Sequence, residues 1–205
     1  MIEFGFKSFL TLLVVIDPIG LVPVFLALAG SKPSHVQHRI AGKAVLVAGI
    51  VVFAFALIGR GLLDSLGISL EALRIAGGIL LFRIAMDMVF VQLARETPEE
   101  AAEAGTRQDI SVFPLAIPLI AGPGTLASIL VLGAEAKGDP VSFGLILLMA
   151  ALVLALAYFF LRSAARLSKL LGRTGVNVIT RVLGILLAAL AVQFVADGLK
   201  GLFTI

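Results

Sequence analysis

The sequence predicts an all-α integral membrane protein of six transmembrane helices, arranged as two inverted three-helix repeats with helices 1 and 4 broken near the midplane. Composition, the spacing of the polar interruptions and a pair of proline–glycine clusters carry that reading. Of 205 residues, 60% are hydrophobic and 14% charged, and the mean hydropathy is +1.13. Soluble chains hold roughly 25% charged residues, and a chain this short has no interior large enough to hide so much apolar surface from water. A bilayer is therefore the solvent. The absence of Cys excludes a disulfide framework, a thiolate metal site and a cysteine nucleophile. The net charge of +3 is scattered over loops and helix ends and forms no dense basic stripe, so nucleic acid is not expected as a partner.

About 20 apolar residues cross a hydrocarbon core as helix, and the polar interruptions leave six such stretches. They run Phe4–Ala29, Ile40–Leu63, Ser69–Leu93, Val112–Ala134, Val141–Leu161 and Ile179–Phe203. The chain divides into a first repeat at 1–93, a polar acidic linker at 94–111 that includes Glu99, Glu100 and Glu103, and a second repeat at 112–205. Lys32, Arg39, Lys43, Arg95, Arg107, Arg162, Arg166, Lys169, Arg173 and Arg181 fall on one face. They outnumber Lys7, Arg60, Arg74, Lys137 and Lys200 on the other, and the positive-inside rule puts both termini outside. The N-terminal residues do not form a cleavable signal, because Glu3 occupies the expected basic region and the apolar run continues through Phe25.

The first span of each half is interrupted. Span one reads VVIDPIGLVPVF, with Asp17, Pro18, Gly20 and Pro23; span four reads PLAIPLIAGPGTLASIL, with Pro114, Pro118, Gly122, Pro123, Gly124 and Thr125. Proline lacks the donor and clashes with the preceding turn, and glycine unwinds at low cost. Aligning Pro18 with Pro123 matches Leu21 to Leu126, while RIAGGILL from Arg74 resembles RVLGILL from Arg181. Three spans per repeat invert the second copy, as in many secondary transporters whose sites lie where discontinuous helices meet. Unwound backbone at that depth survives only when buried in protein or lining a wet cavity.

Pro18 and Pro123 suit the first position of the following half-helix, so two positive helix ends at Gly20 and at Gly122–Thr125 would face an anionic group. Asp17 reads either as an N-cap or as a carboxylate that meets an ammonium or cation or carries a proton. Thr125 reads equally as a cap or as a neutral ligand hydroxyl. Arg83 and Asp87, spaced i, i+4, form a stapling salt bridge or a substrate contact. Gln193 and Asp197 form a similar i, i+4 pair on span six; Asp197 is near enough to the end to be solvated, whereas Gln193 is deeper and requires an interhelical partner. Gly77, Gly78 and Gly184 permit close helix approach, and His35 and His38 lack the acidic company of a metal site.

The motifs DPIGLVPVF at 17–25, RIAGGILLF at 74–82, PLAIPLIAGPGT at 114–125 and RVLGILLAALAVQF at 181–194 together resemble the MarC family of bacterial and archaeal inner-membrane proteins. That resemblance implies a six-span transporter-like protein of the lysine-exporter type in a prokaryotic cytoplasmic membrane. It further implies movement of small neutral amino acids, glycine, alanine or branched-chain, driven by an ion gradient. The expected substrate positions are Asp17, Pro18, Gly20, Gly122, Pro123, Gly124 and Thr125, with Pro23, Pro118, Arg83, Asp87 and Gln193 as secondary candidates. No cofactor is expected; the coupling ion is a proton or sodium, and a homo-oligomer is compatible with so small a body. The alternative is an ion or small-solute channel, or an exporter of another metabolite. An intramembrane enzyme is disfavoured because no HExxH, nucleophile motif or acid cluster is present.

Overall fold

The computed structural model describes residues 1–90, 109–136 and 138–203, and within them every regular element is helical. The chain enters as α1 (Ile2–Ile16), breaks, and resumes as α2 (Leu21–Ala29). α3 (Ser34–Leu66) follows, then α4 (Leu70–Val89). The second half opens with an irregular, wide helical segment, α5 (Ser111–Ile120), and α6 (Pro123–Glu135). α7 (Pro140–Arg162) and α8 (Ala164–Phe203) complete it. Residues 94–108 of the expected acidic linker lie outside the described residues.

Local chemistry sets the ends of these helices. Ser69 caps α4 by accepting from the Ala72 N–H at 3.1 Å. Asp139 caps α7 through the Ser142 N–H at 2.9 Å, with Pro140 in the first turn, where a missing donor costs nothing. The Ser142 hydroxyl and these backbone donors hold the Asp139 carboxyl below the usual carboxylate range. In α5, Phe113 and Ile117 are extended, at ψ 127° and 122°, and each precedes a proline. A ring at i+1 pushes residue i out of the helical region, so Pro114 and Pro118 convert the expected half-helix into a loose coil. α8 is kinked at Gly172, whose φ of 61° only glycine adopts readily.

Among the described residues, four stretches are long and apolar enough to cross a membrane: Ile2–Ala29 taken through its break, Ser34–Leu66, Pro140–Arg162 and Asn177–Phe203. The pair Ser111–Ile120 and Pro123–Glu135, bent by 50°, makes a fifth when counted as one span. α4 coincides with the expected third span and at 20 residues is long enough, but it carries Glu71, Arg74, Arg83 and Asp87. These charges keep it out of the apolar set.

Packing separates the helices into two bodies. Leu12, Phe25, Val52, Leu115, Ile129 and Ile146 belong to one core that draws on α1, α2, α3, α5, α6 and α7. A second core, including Leu81, Ala85, Leu187 and Ala191, joins α4 to α8, with Val15 and Val131 where it meets the first. α4 and α8 lie against one another along their lengths. A Cβ on Gly78 would stand 2.7 Å from the Ala191 carbonyl oxygen, so the helices approach to backbone contact there. The close-approach role expected of Gly78 and Gly184 is seen in this interface, where a Cβ on Gly184 would meet Met88 at 2.9 Å.

Candidate functional site

The first break is built around one side chain. Asp17 closes α1, its N–H bonded to the Leu13 carbonyl at 3.0 Å, in a left-handed conformation with φ 44° and ψ 68°. Aspartate is among the few residues that visit this region without large cost. The turn aims the carboxylate back at the chain that follows, and Oδ1 accepts from the Gly20 N–H at 3.0 Å. A Cβ on Gly20 would fall 1.9 Å from Oδ2, so glycine is what allows the carboxylate to sit there. The Leu21 N–H meets the Asp17 carbonyl and the Val22 N–H meets that of Ile19, both at 3.1 Å.

Pro18 was expected at the first helical position, but it lies in the turn; Gly20 is the N-cap and Leu21 opens α2. The free helix end expected at Gly20 is therefore already occupied by Asp17. A carboxylate three residues before the N-cap offered a nearby acceptor, and the turn closed on it. Pro23, within α2, does not line the site.

The second break is different. Gly122 is the N-cap of α6, Pro123 takes the first helical position as expected, and no side chain caps the helix. The Leu126 N–H bonds to the Gly122 carbonyl at 3.0 Å, while Gly124 and Thr125 present first-turn N–H groups that a helix leaves without intrahelical partners. Thr125 is buried and turns its hydroxyl backwards, donating to the Ile120 carbonyl at 2.8 Å. It thus satisfies the last carbonyl of α5 and leaves the start of α6 open. A Cβ on Gly122 would lie 2.2 Å from the Pro118 carbonyl oxygen, so the chain doubles back more tightly than any other residue permits.

Both breaks and α4 enclose one cavity of about 350 Å³, lined by Asp17, Gly20, Pro118, Gly122, Pro123, Gly124 and Thr125, and across from them by Leu80, Arg83, Ile84 and Asp87. That volume sits at the small end of ligand sites, which span roughly 300–1,000 Å³. Asp17 is 9% exposed and marks the acidic wall; the open α6 end carries the positive pole of its helix. Arg83 and Asp87 stand at the rim, 3.8 Å apart, and the Arg83 side chain is 82% exposed, so their pairing is loose. Aliphatic side chains of Ile16, Leu21, Val24 and Met88 form the remaining wall.

Gln193 is not part of the site. In place of the expected interhelical partner, its Nε2 donates to Asp197 Oδ1 at 2.7 Å one turn along the exposed face of α8. An i, i+4 acceptor on the same helix is always within reach and removes the need for a neighbour. Sequence reasoning missed two other features. Ser128, one turn beyond Gly124, is fully buried, and among the described residues its hydroxyl finds no partner. Glu135 binds Lys7 at 2.7 Å and approaches Arg74 at 3.6 Å, tying α6 to α1 and α4. Only the register of packed helices brings these groups together. Among the described residues no cluster of His, Cys, Asp and Glu could hold a metal ion.

Comparison with known proteins gives the family. The profile for the MarC family integral membrane protein matches residues 2–203. A UPF0056 membrane protein of Archaeoglobus fulgidus is 40% identical over 97% of this chain and 93% of its own length. The UPF0056 membrane protein YhcE of Escherichia coli is 36% identical with the same coverage, and YvbG of Bacillus subtilis is 36% identical over 100% of this chain and 98% of its own. No solved structure matches. With a family profile spanning nearly the whole chain and relatives of this similarity across bacteria and archaea, the protein belongs to the MarC family of integral membrane proteins.

Proposed function

We propose that the protein is a secondary transporter of small neutral amino acids that works by alternating access in a prokaryotic cytoplasmic membrane. One observation carries the reading: a buried carboxylate and an uncapped helix N-terminus line the same small cavity. A zwitterion matches that polarity. Its ammonium would rest against Asp17 Oδ2, and its carboxylate would take the Gly124 and Thr125 N–H groups and the helix-end field. The aliphatic wall accommodates an uncharged side chain. Glycine and alanine fit the volume with room to spare, and larger branched side chains fit against Ile16, Leu21 and Met88.

In this reading the chain crosses six times as two inverted three-helix repeats, with both termini outside. α4 is the third span of the first repeat; Arg83 and Asp87 line the cavity, and Arg74 approaches Glu135 at the bundle end. The third helices of the two halves, α4 and α8, pair in a core of their own. The cavity lies between α4 of that pair and the two breaks. Alternating access follows from movement of the α4–α8 wall against the α1–α6 breaks, with binding energy from both walls favouring closure.

The test is counterflow of labelled alanine, glycine and leucine in proteoliposomes, with Asp17→Asn beside the wild type. Asparagine tolerates the left-handed turn and still offers Oδ1 to Gly20, so the variant keeps the fold and loses only the charge. We expect saturable wild-type counterflow and at least a tenfold loss in Asp17→Asn. Wild-type activity in the variant would reduce Asp17 to a cap. Flux without counterflow would favour a channel, and no movement of any amino acid by folded wild type would reject the substrate class.

A further inference from the structure

The seam between α1 and α6 holds a line of polar groups that leads out of the cavity. Two contacts fix its register. A Cβ on Gly124 would stand 3.5 Å from a Val15 methyl, and Lys7 Nζ meets Glu135 Oε2 at 2.7 Å. The helices therefore run antiparallel, with Val15 opposite Gly124 at the cavity and Lys7 opposite Glu135 at the bundle end. Thr11 lies four residues from Val15, and Ser128 four residues from Gly124. Each is one turn, about 6 Å, along the same helix face. Counted from the Val15–Gly124 contact, Thr11 and Ser128 each lie one turn from the cavity on the two facing helices. Thr11 is 4% exposed and Ser128 fully buried.

Ser128 carries a fully buried hydroxyl with no partner among the described residues. A buried donor left unpaired is costly, and a bound water is one of the few arrangements that satisfy it. One water with two hydrogen bonds of about 2.8 Å bridges oxygens roughly 5–6 Å apart, about the rise of one helical turn. From Thr125 at the cavity to Ser128 is three residues, about 4.5 Å along the helix; from Thr11 to Lys7 is one turn, about 6 Å. Between Lys7 and Asp17 on α1, and from Pro123 to Ala134 on α6, there is no charged residue. The charges that meet this line are Lys7, Glu135 and Arg74 at its outer end, and Asp17, Arg83 and Asp87 at the cavity.

We propose that the α1–α6 seam is a hydrated path that carries the coupling proton between the Lys7–Glu135 end of the bundle and Asp17, with Thr11 and Ser128 as its hydroxyl relays. The proposal rests on the transporter reading for its purpose but not for its hydration. A proton delivered along the water file forms an O–H bond at Asp17 Oδ2, and the donating hydronium returns to water; Oδ1 remains the acceptor for Gly20. On release the O–H bond breaks and water takes the proton. Protonation removes the charge that would hold an ammonium, so proton uptake and substrate release are linked at one carboxylate.

The chain contains no cysteine, which makes single-cysteine labelling clean. The full-length variants Ser128→Cys and Thr11→Cys, in lipid nanodiscs with both faces accessible, are exposed to silver ion, a water-sized thiol probe. Remaining thiols are then counted with a fluorescent maleimide after denaturation. Leu12→Cys, fully buried beside Thr11 on α1, reports closed packing, and exposed Ser65→Cys reports free access. We expect silver to block Ser128→Cys and Thr11→Cys at least tenfold faster than Leu12→Cys. Protection equal to Leu12→Cys overturns the path.

In proteoliposomes, Ser128→Ala is expected to lower pH-gradient-driven alanine accumulation at least fivefold, with Ser128→Thr restoring it. A hydrated seam with unchanged pH-driven accumulation in Ser128→Ala overturns the proton role. Wild type that accumulates no amino acid rejects the transporter reading and with it the proton's purpose, while the silver rates still decide hydration.

Discussion

The two breaks share a sequence logic and differ in what they leave free. At the first, Asp17 turns left-handed and its carboxylate takes the Gly20 N–H, so α2 begins already capped by an anion from its own chain. At the second, no side chain caps α6, and the one hydroxyl in position, Thr125, bonds backwards to Ile120. One break therefore offers a negative group with a spare oxygen, and the other an open positive helix end. Two capped breaks would merely hold helices together, and two open ones would suit a dianion. The asymmetric pair suits a ligand with both signs.

The largest expected effect separates the two glycines. In Gly122→Ala the new methyl would collide with the Pro118 carbonyl at 2.2 Å, a backbone atom fixed by the break itself. In Gly20→Ala the obstacle at 1.9 Å is the Asp17 carboxylate, which can rotate away. We expect Gly122→Ala to lose about 3 kcal/mol or more of stability, at or above the upper end for forced overpacking, with little folded protein recovered from detergent. Gly20→Ala should fold with a loss of about 1 kcal/mol, the value of a cap, yet bind no substrate because Asp17 has moved. Thermal unfolding by fluorescence-detected size exclusion, alongside counterflow, reads both. Equal loss of folded protein in the two variants would remove the distinction between a rotatable and a fixed obstacle.

A smaller effect tests whether Thr125 holds the second break together. Thr125→Val keeps the shape but removes the donor to the buried Ile120 carbonyl, which costs about 1–2 kcal/mol when an acceptor is left unsatisfied. Thr125→Ser keeps the donor and should lose less than about 1 kcal/mol. Both should preserve the Gly124 and Thr125 N–H groups. Substrate affinity in Thr125→Val should therefore fall less than tenfold, read from the concentration dependence of counterflow. Complete loss of binding in Thr125→Val with normal stability would make the hydroxyl a ligand group and not a brace.

These differences explain which parts of the molecule could be read from its residues. The positions of both breaks, the N1 placement of Pro123 and the extent of α7 follow from local rules: proline denies a donor, and an apolar run sets a length. α3 outruns its expected Ile40–Leu63, because the polar stretch from Ser34 to Arg39 is helical as well and no apolar count marks it. The capture of Gly20 by Asp17 is also local, but it depends on a left-handed turn that no hydropathy pattern encodes. The pairing of α4 with α8, the bridging of Lys7 and Arg74 by Glu135, and the stranded hydroxyl of Ser128 come from how packed helices sit in register. Gln193 shows the converse, since a partner one turn away on α8 satisfied a group for which a neighbouring helix was expected.

The smallest expected effect concerns how each break is anchored. The first needs only its own carboxylate, whereas the approach to the second is tied from outside: Asp109 pairs with Lys43 of α3 and also accepts from the Ser111 hydroxyl and from its N–H at 3.2 Å. The Lys43 ammonium and the Ser111 donors hold the Asp109 carboxyl below its ordinary value of 3.8. Because the folded value is the lower one, the stabilisation is fully present above the ordinary value and is lost as pH falls through the depressed one. The wild-type unfolding midpoint in detergent should therefore drop on acidification below about pH 4, and Asp109→Asn should flatten only part of that drop, since Asp139 is depressed as well. The pair is solvent-exposed, so its share is small and screened by salt. If the acid-induced loss in Asp109→Asn matched that of wild type at low ionic strength, the start of α5 would not depend on Lys43, and the second break would be as self-contained as the first.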